Sequence, residues 1–386
     1  MPKADTSVKW FHSDMPGAPV LRGEPGALIE LLDACLISGF DARTPDSITV
    51  AGEVATVTLG GGNPYEKHAV ITITGASVAG LNAEWRIATS GATSLTFACP
   101  GVADGPATGA TIKRTGAGWE KAYSDVAKAA YRIPDLLSSR SYLRIDDTDS
   151  RRARVRGFEA MSDIDTGERS FPTYAQVAAE SFTVVKSSTE NAVAVPWIVA
   201  ADERQVLCFA AWYHNAYPWN HDAFRFGDAV PFASEDVHCC VISAAVAPEP
   251  AYPGGNSSDN GAGVFHHLNY ATGTFVSRPP NQSVGASRPT QRCIVNSAGE
   301  IAASPVHGKL LVAQPLLLSA DGSGSVRACM PGVFVGLEQP ALGSIDGLDL
   351  RAVLDDGGNA IFAFRTNFAT NTSRAYGAVD IKGPWR

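Results

Sequence analysis

Charge is scarce in this chain of 386 residues, with 18% Asp, Glu, Lys and Arg against about 25% in ordinary soluble domains. The 31 basic and 39 acidic residues leave a net charge of −8. That balance argues against a dedicated nucleic-acid binder, because phosphate contacts need clustered Lys and Arg. No apolar run approaches the roughly 20 residues of a membrane-spanning helix, so no membrane insertion is expected. The opening Met1-Pro2-Lys3-Ala4-Asp5 leads into polar sequence instead of the apolar core of a signal peptide. Seven cysteines are therefore expected as buried thiols. Cys239 and Cys240 cannot easily bridge each other, since neighbours on a strand face opposite ways. A fixed-period repeat is also missing, which argues against a solenoid or propeller.

Organised chemistry is equally thin. There is no G-x-S-x-G elbow and no H-E-x-x-H. Gly60-Gly61-Gly62-Asn63-Pro64 lacks the G-K-[ST] ending of a phosphate loop and reads as a turn. Asp163-Ile164-Asp165-Thr166-Gly167 resembles half a calcium loop, but its glycine comes one place early and Tyr174 stands where a bidentate Glu belongs. A turn with carboxylates capping backbone N–H groups fits better. His238-Cys239-Cys240 and His266-His267 lack metal-ligand spacing. The adjacent acids Asp146-Asp147 and Glu235-Asp236 would diverge on a strand instead of sharing a cleft, as glycan cleavage requires. No catalytic residue, metal or cofactor is expected, and the chain is read as a non-enzyme.

What is present is β-pattern. Hydrophobic residues make up 45% of the chain, with 37 glycines and 24 prolines. Short alternating runs lie between Gly, Asn, Ser and Pro clusters. The fold class expected is mainly β: several small antiparallel sandwich or barrel domains in series, with one short N-terminal helix. Residues 26–38 space Leu28, Leu31, Leu32, Cys35 and Leu36 by threes and fours and stop at Gly39, which predicts that helix. The organisation expected is an arm and helix over 1–46, a small β-module over 47–116 and a β-rich domain over 117–247. A Pro/Gly-rich linker or extended loop over 248–292 and a C-terminal β-rich domain over 293–386 follow. In the module, strands are expected over 48–59, 70–74, 85–89 and 95–99, with Trp85 beside Ile87 in its core. Residues 174–180 hint at a second helix.

Two places invite contact with something else. Trp212, Tyr213, Tyr217 and Trp219 cluster aromatics that suit a subunit contact or a sugar-stacking platform, although packing under a loop also accounts for them. Trp385 and Arg386 follow a Gly-Pro pair and are expected to anchor the end of the chain, in its own domain or at a subunit interface. Six arginines over residues 140–156, set against Asp146, Asp147 and Asp149, are expected to pair across strands.

The segment Ile73-Thr74-Gly75-Ala76, Leu81-Asn82-Ala83-Glu84-Trp85-Arg86-Ile87, Thr93-Ser94-Leu95-Thr96-Phe97 and Gly105-Pro106-Ala107-Thr108-Gly109 resembles a module of structural proteins in tailed double-stranded DNA bacteriophage particles. The opening, with Trp10-Phe11-His12 and Leu31-Leu32-Asp33-Ala34-Cys35, is similar to the start of such proteins. The ending, Asp380-Ile381-Lys382-Gly383-Pro384-Trp385-Arg386, is similar to their close. The resemblance covers roughly the first 170 residues and the last few dozen. It implies a virion component made in the bacterial cytoplasm, forming a symmetric oligomer in the tail, baseplate or collar. The partners implied are copies of itself and other virion proteins. A carbohydrate-binding receptor protein at the tail tip, meeting host surface glycan, and a capsid decoration protein are the alternatives.

Overall fold

Ser47–Ala51 and Val54–Thr58 turn alternate residues inward, Ile48 and Val50 on the first and Ala55 and Val57 on the second. That is the period-2 pattern of strands buried on one face. The run 48–59, expected as one strand, is in fact this hairpin. Gly52 and Glu53 both adopt positive φ, 59° and 63°, forming the mirror-image turn whose twist suits antiparallel strands. Ala51-Gly52-Glu53-Val54 lacks the Asn-Gly or Asp-Gly signature of such turns, so alternation alone runs straight through it.

The computed structural model describes residues 2–211, 222–246, 273–285, 290–292, 312–314, 316–318, 326–336, 351–355, 360–365 and 376–386. The hairpin belongs to a five-stranded sheet ordered Thr89–Ser90, Ser94–Ala98, Val54–Thr58, Ser47–Ala51, Gly105–Ala107. A four-stranded sheet of Phe40–Arg43, Thr111–Arg114, Val70–Thr74 and Glu84–Arg86 shares its core, in which Ile48, Val57, Ile73, Trp85, Phe97 and Ile112 pack together. Trp85 is buried and stacks on Phe97 with centroids 5.1 Å apart. Residues 40–114 thus form a sandwich with an interior of their own.

A larger body surrounds that sandwich in sequence. Its six-stranded sheet runs Lys9–His12, Trp197–Ala201, Gln205–Ala210, Asp222–Asp228, Cys240–Ser243, Thr274–Val276. Its seven-stranded sheet runs Glu120–Asp125, Lys128–Arg132, Tyr142–Asp146, Arg152–Met161, Phe182–Val185, Ala245–Val246, with Gly167–Phe171 also paired to Arg152–Met161. The helix falls where expected, as Ala27–Leu32 followed by a wider π-helical turn, Asp33–Ser38. Its Leu28, Leu31, Leu32, Cys35 and Leu36 enter the core shared with both sheets. Val379, Ile381 and Trp385 join the same core. The sandwich 40–114 is therefore an excursion from a body closed by residues before it, after it and near the end of the chain.

Two more sheets complete the described structure, one of Val230–Pro231, Val326–Cys329, Leu316–Leu318 and Thr290–Arg292, the other of Val312–Ala313, Val333–Gly336, Tyr376–Asp380, Ala360–Arg365 and Arg351–Asp355. Within 248–292, Thr274–Val276 and Thr290–Arg292 are sheet strands, and Arg278 makes an ion pair with Glu159 at 2.6 Å. With 44% strand and 7% helix, the chain is mainly β, with several antiparallel sheets and one short helix, as the sequence predicts. The helix hinted at over 174–180 does not form. Thr173 and Gln176 close a turn by exchanging side-chain bonds with each other's backbone N–H (2.9 and 3.3 Å), and only a 3-10 turn, Ala179–Ser181, follows.

Candidate functional site

The outer face of the seven-stranded sheet gathers charge because of a simple alternation. Leu143, Ile145, Ala153 and Val155 point into the core, so Arg144, Asp146, Arg154 and Arg156 share the opposite face. Register sets Arg144 against Arg156 and Asp146 against Arg154. The loop containing Asp165 and the stretch from Tyr174 to Glu180 flank them, enclosing a pocket of about 410 Å³.

Each guanidinium in this pocket is held. Arg144 donates to Asp165 Oδ1 at 2.6 Å and to the Ile164 carbonyl at 2.7 Å. Asp146 lies 3.8 Å from both Arg144 Nη2 and Arg154 Nη1, and Arg154 Nε meets Glu180 at 2.5 Å. Arg156 donates to backbone carbonyls of Pro172, Val177 and Ala178, and burial pulls its pKa down. The Tyr174 ring sits over the Arg156 guanidinium at 4.1 Å while remaining 58% exposed. Hydrogen bonds from Arg144 and Lys128 hold the Asp165 carboxyl below its ordinary range. Arg154 pairs across strands with Asp146 as expected, whereas Arg144 turns to Asp165 in a loop, Asp147 pairs with Lys186 and Asp149 accepts from the backbone N–H of Arg151 and Arg152; the run also lines a concave site. Alternating charge was legible in the i, i+2 spacing. Tyr174 was not, because only tertiary folding returns its loop over the sheet.

The other sequence candidates are placed as follows. Asp163 accepts from the backbone N–H of Asp165 and Thr166, both at 2.8 Å, which is the capping turn expected. Asp146 and Asp147 diverge: Asp147 is fully buried, accepts from Leu28 N–H at 2.8 Å at the start of the helix, and pairs with Lys186, itself fully buried. Burial pushes Asp147 up to about 6 and Lys186 down. Asp236 forms a two-point pair with Arg327 at 2.6 and 2.8 Å, beside a second pocket of about 420 Å³ that Phe232, Glu235 and Gln282 also line. Cys239 and Cys240 enter different cores. Among the described residues no group of three or more His, Cys, Asp or Glu is arranged to hold a metal ion. Trp212, Tyr213, Tyr217 and Trp219, and the pair His266-His267, lie outside the described residues.

Trp385 is 3% exposed, and its indole N–H donates to the Asp380 carbonyl at 3.1 Å. The ring covers Gly332, whose φ of +80° favours glycine and where a Cβ would come within 2.7 Å of the indole. Arg386 reaches Asp202 at 3.4 Å and the Asp228 carbonyl at 3.3 Å. Both residues are therefore engaged within their own chain. Sequence reasoning missed Arg86. This buried side chain donates to the carbonyls of Asp5 (2.5 Å), Val8 (2.9 Å), His68 (2.7 Å) and Ile381 (2.7 Å). It joins the N-terminal arm, the sandwich and the C-terminal segment at one point. Its neighbours in the motif, Trp85 and Ile87, drew attention as apolar alternation; a charged residue between them reads as solvent-facing.

No protein-family model matches the chain, and no curated protein matches it. Among solved structures, Phage phi92 endosialidase is similar with a TM-score of 0.18 and 9% identity, over 89% of this chain and 52% of that one. The chain spans about half the length of that neighbour, and a likeness at this TM-score carries no argument about activity.

Proposed function

We propose that the chain is a non-catalytic structural protein of a tailed-bacteriophage particle, built as a symmetric oligomer into the tail, baseplate or collar. The observation that supports this most is that the phage-like segment 73–109 lies within one structural unit, the sandwich 40–114, in which several motif residues have definite roles. Leu81, Trp85 and Ile87 fill the sandwich core. The Asn82 side chain bridges Ala76 N–H and C=O at 2.8 and 3.0 Å, and Arg86 docks the sandwich to the body. Apolar residues available for contact include Leu136 and Leu137, 82% and 85% exposed. They stand on a loop stiffened by Asp135, which accepts from Leu137 N–H at 2.8 Å and pairs with Arg204. Antibody labelling of purified virions under the electron microscope, with light-scattering mass of the purified chain, tests the proposal. Label on the tail, baseplate or collar and a discrete oligomer are expected. Label on the head would move the protein to capsid decoration; unlabelled particles and a monomer would overturn the reading. Glycan recognition at a tail tip is the second reading, and the pocket beside Tyr174 is the observation that favours it.

A further inference from the structure

We propose that the pocket between Arg144, Asp146, Arg154, Glu180 and Tyr174 is a binding site for an uncharged saccharide ring. Its volume, about 410 Å³, lies in the range of small-molecule sites, about 300 to 1,000 Å³. Three arginines, Arg144, Arg154 and Arg156, face three acids, Asp146, Asp165 and Glu180. That balance disfavours a phosphate or carboxylate ligand, which the acids repel, and a cationic one, which the arginines repel. A sugar hydroxyl donates and accepts at once. The bonds of 2.5–2.7 Å made by Arg144 and Arg154 use Nε and Nη2 of Arg144 and Nε of Arg154, and each guanidinium carries five N–H donors. A sugar hydroxyl is therefore matched by the other N–H groups of these two arginines beside carboxylate acceptors, and hydrogen bonds to charged partners are the stronger kind.

The aromatic element is placed to complement this. Tyr174 rests one face on Arg156 at 4.1 Å and is 58% exposed, so it offers ring surface to the apolar C–H side of a pyranose beside the polar groups. A second feature points the same way. Arg144 and Arg156 stand directly opposite each other on neighbouring strands, a like-charge pairing that weakens a sheet. Violations of local rules concentrate at functional sites. The inference goes beyond the proposed place in the particle and does not depend on it, because binding by the purified chain is measured without virions.

The test is calorimetric or NMR titration of the purified full chain with neutral methyl pyranosides (hexosides and N-acetylhexosaminides), alongside inorganic phosphate and methyl glucuronide. Saturable binding of at least one neutral pyranoside is expected, weakened roughly tenfold or more by Tyr174→Ala and by Glu180→Gln. Tyr174→Phe, which keeps the ring, should retain most of the binding. Both positions are largely exposed, so an unchanged thermal midpoint is expected to confirm folding. Absence of binding by every neutral pyranoside, tighter binding of phosphate or glucuronide, or affinity indifferent to both substitutions would each overturn the assignment. Failure of virion labelling would leave these measurements standing, so the two proposals fail separately.

Discussion

Replacing Arg86 by Met should uncouple the sandwich from the body without dissolving the sandwich core. The side chain is 5% exposed and donates to four carbonyls from three separate parts of the chain: Asp5 and Val8 in the arm, His68 in the sandwich, and Ile381 near the C-terminus. Hydrogen bonds involving a charged partner contribute about 1.5–3 kcal/mol each. Against this stands the cost of burying the cation. Burial lowers the Arg86 pKa to about 10, so desolvation of the guanidinium offsets part of that gain. Met fills part of the volume but leaves the carbonyls without their donor, and since a buried acceptor left unsatisfied costs about 1–3 kcal/mol, a net loss of a few kcal/mol is expected. Lys should recover little, because one ammonium cannot span four acceptors as a planar guanidinium does.

The assay is urea unfolding followed by two probes, tryptophan fluorescence and limited proteolysis read by mass spectrometry. In Arg86→Met, cleavage near residues 2–12 and 376–386 should precede loss of the sandwich, whose own core of Ile48, Val57, Phe97 and Ile112 is untouched. A midpoint indistinguishable from the parent, with no early cleavage at either end, would refute the reasoning and show that apolar packing alone holds the units together.

Trp85→Ala, at a buried position stacked on Phe97, should cost about 3–5 kcal/mol, and an unchanged urea midpoint would contradict it. Trp385→Ala should cost a similar amount while leaving oligomer mass unaltered; loss of the oligomer at a preserved thermal midpoint would instead place Trp385 at a subunit contact. Lys186→Met strands a buried carboxyl and should cost about 3–5 kcal/mol. Asp147 already titrates at about 6, above the roughly 3.9 of an unfolded Asp, and loss of Lys186 raises it further. A raised folded pKa gives stability that is present at low pH and lost as pH climbs through the folded value. The penalty should therefore be larger at about pH 8 than at about pH 5, and a pH-independent difference would contradict it.

Where burial follows from period alone, the sequence is a good guide. The helix over 26–38, the inward Trp85 and strands such as Tyr142–Asp146 and Ala360–Arg365 all stand on apolar spacing. Reading failed where a turn reverses the chain without an apolar signal. Gly52 and Glu53 reverse the chain inside a continuous alternation, and the mutual bonds of Thr173 and Gln176 close a turn where spacing hints at a helix. The candidate site divides in the same way. The face carrying Arg144, Asp146, Arg154 and Arg156 is a period-2 pattern, whereas Tyr174, Glu180 and Asp165 reach it from loops whose paths depend on contacts distant in sequence.

The same division bears on how the sandwich is oriented. Its interior is self-contained, and its described contacts with the body include Arg86, Lys9 with Glu84 at 3.0 Å, His12 with Glu66 at 3.2 Å, and Asp355 with Lys67 at 2.5 Å and His68 at 2.9 Å. Apolar burial is non-directional, so a sandwich held by it alone could settle at many angles. Hydrogen bonds and ion pairs require particular distances and angles. Each of those pairs joins one basic side chain to one carboxylate, with Lys9, His12 and His68 buried and Glu84 and Glu66 partly exposed, whereas buried Arg86 spans four carbonyls from three parts of the chain. Orientation therefore rests most heavily on Arg86, the cation in strand Glu84–Arg86 that periodicity assigns to the solvent. A residue of that kind fixes geometry more than it adds energy.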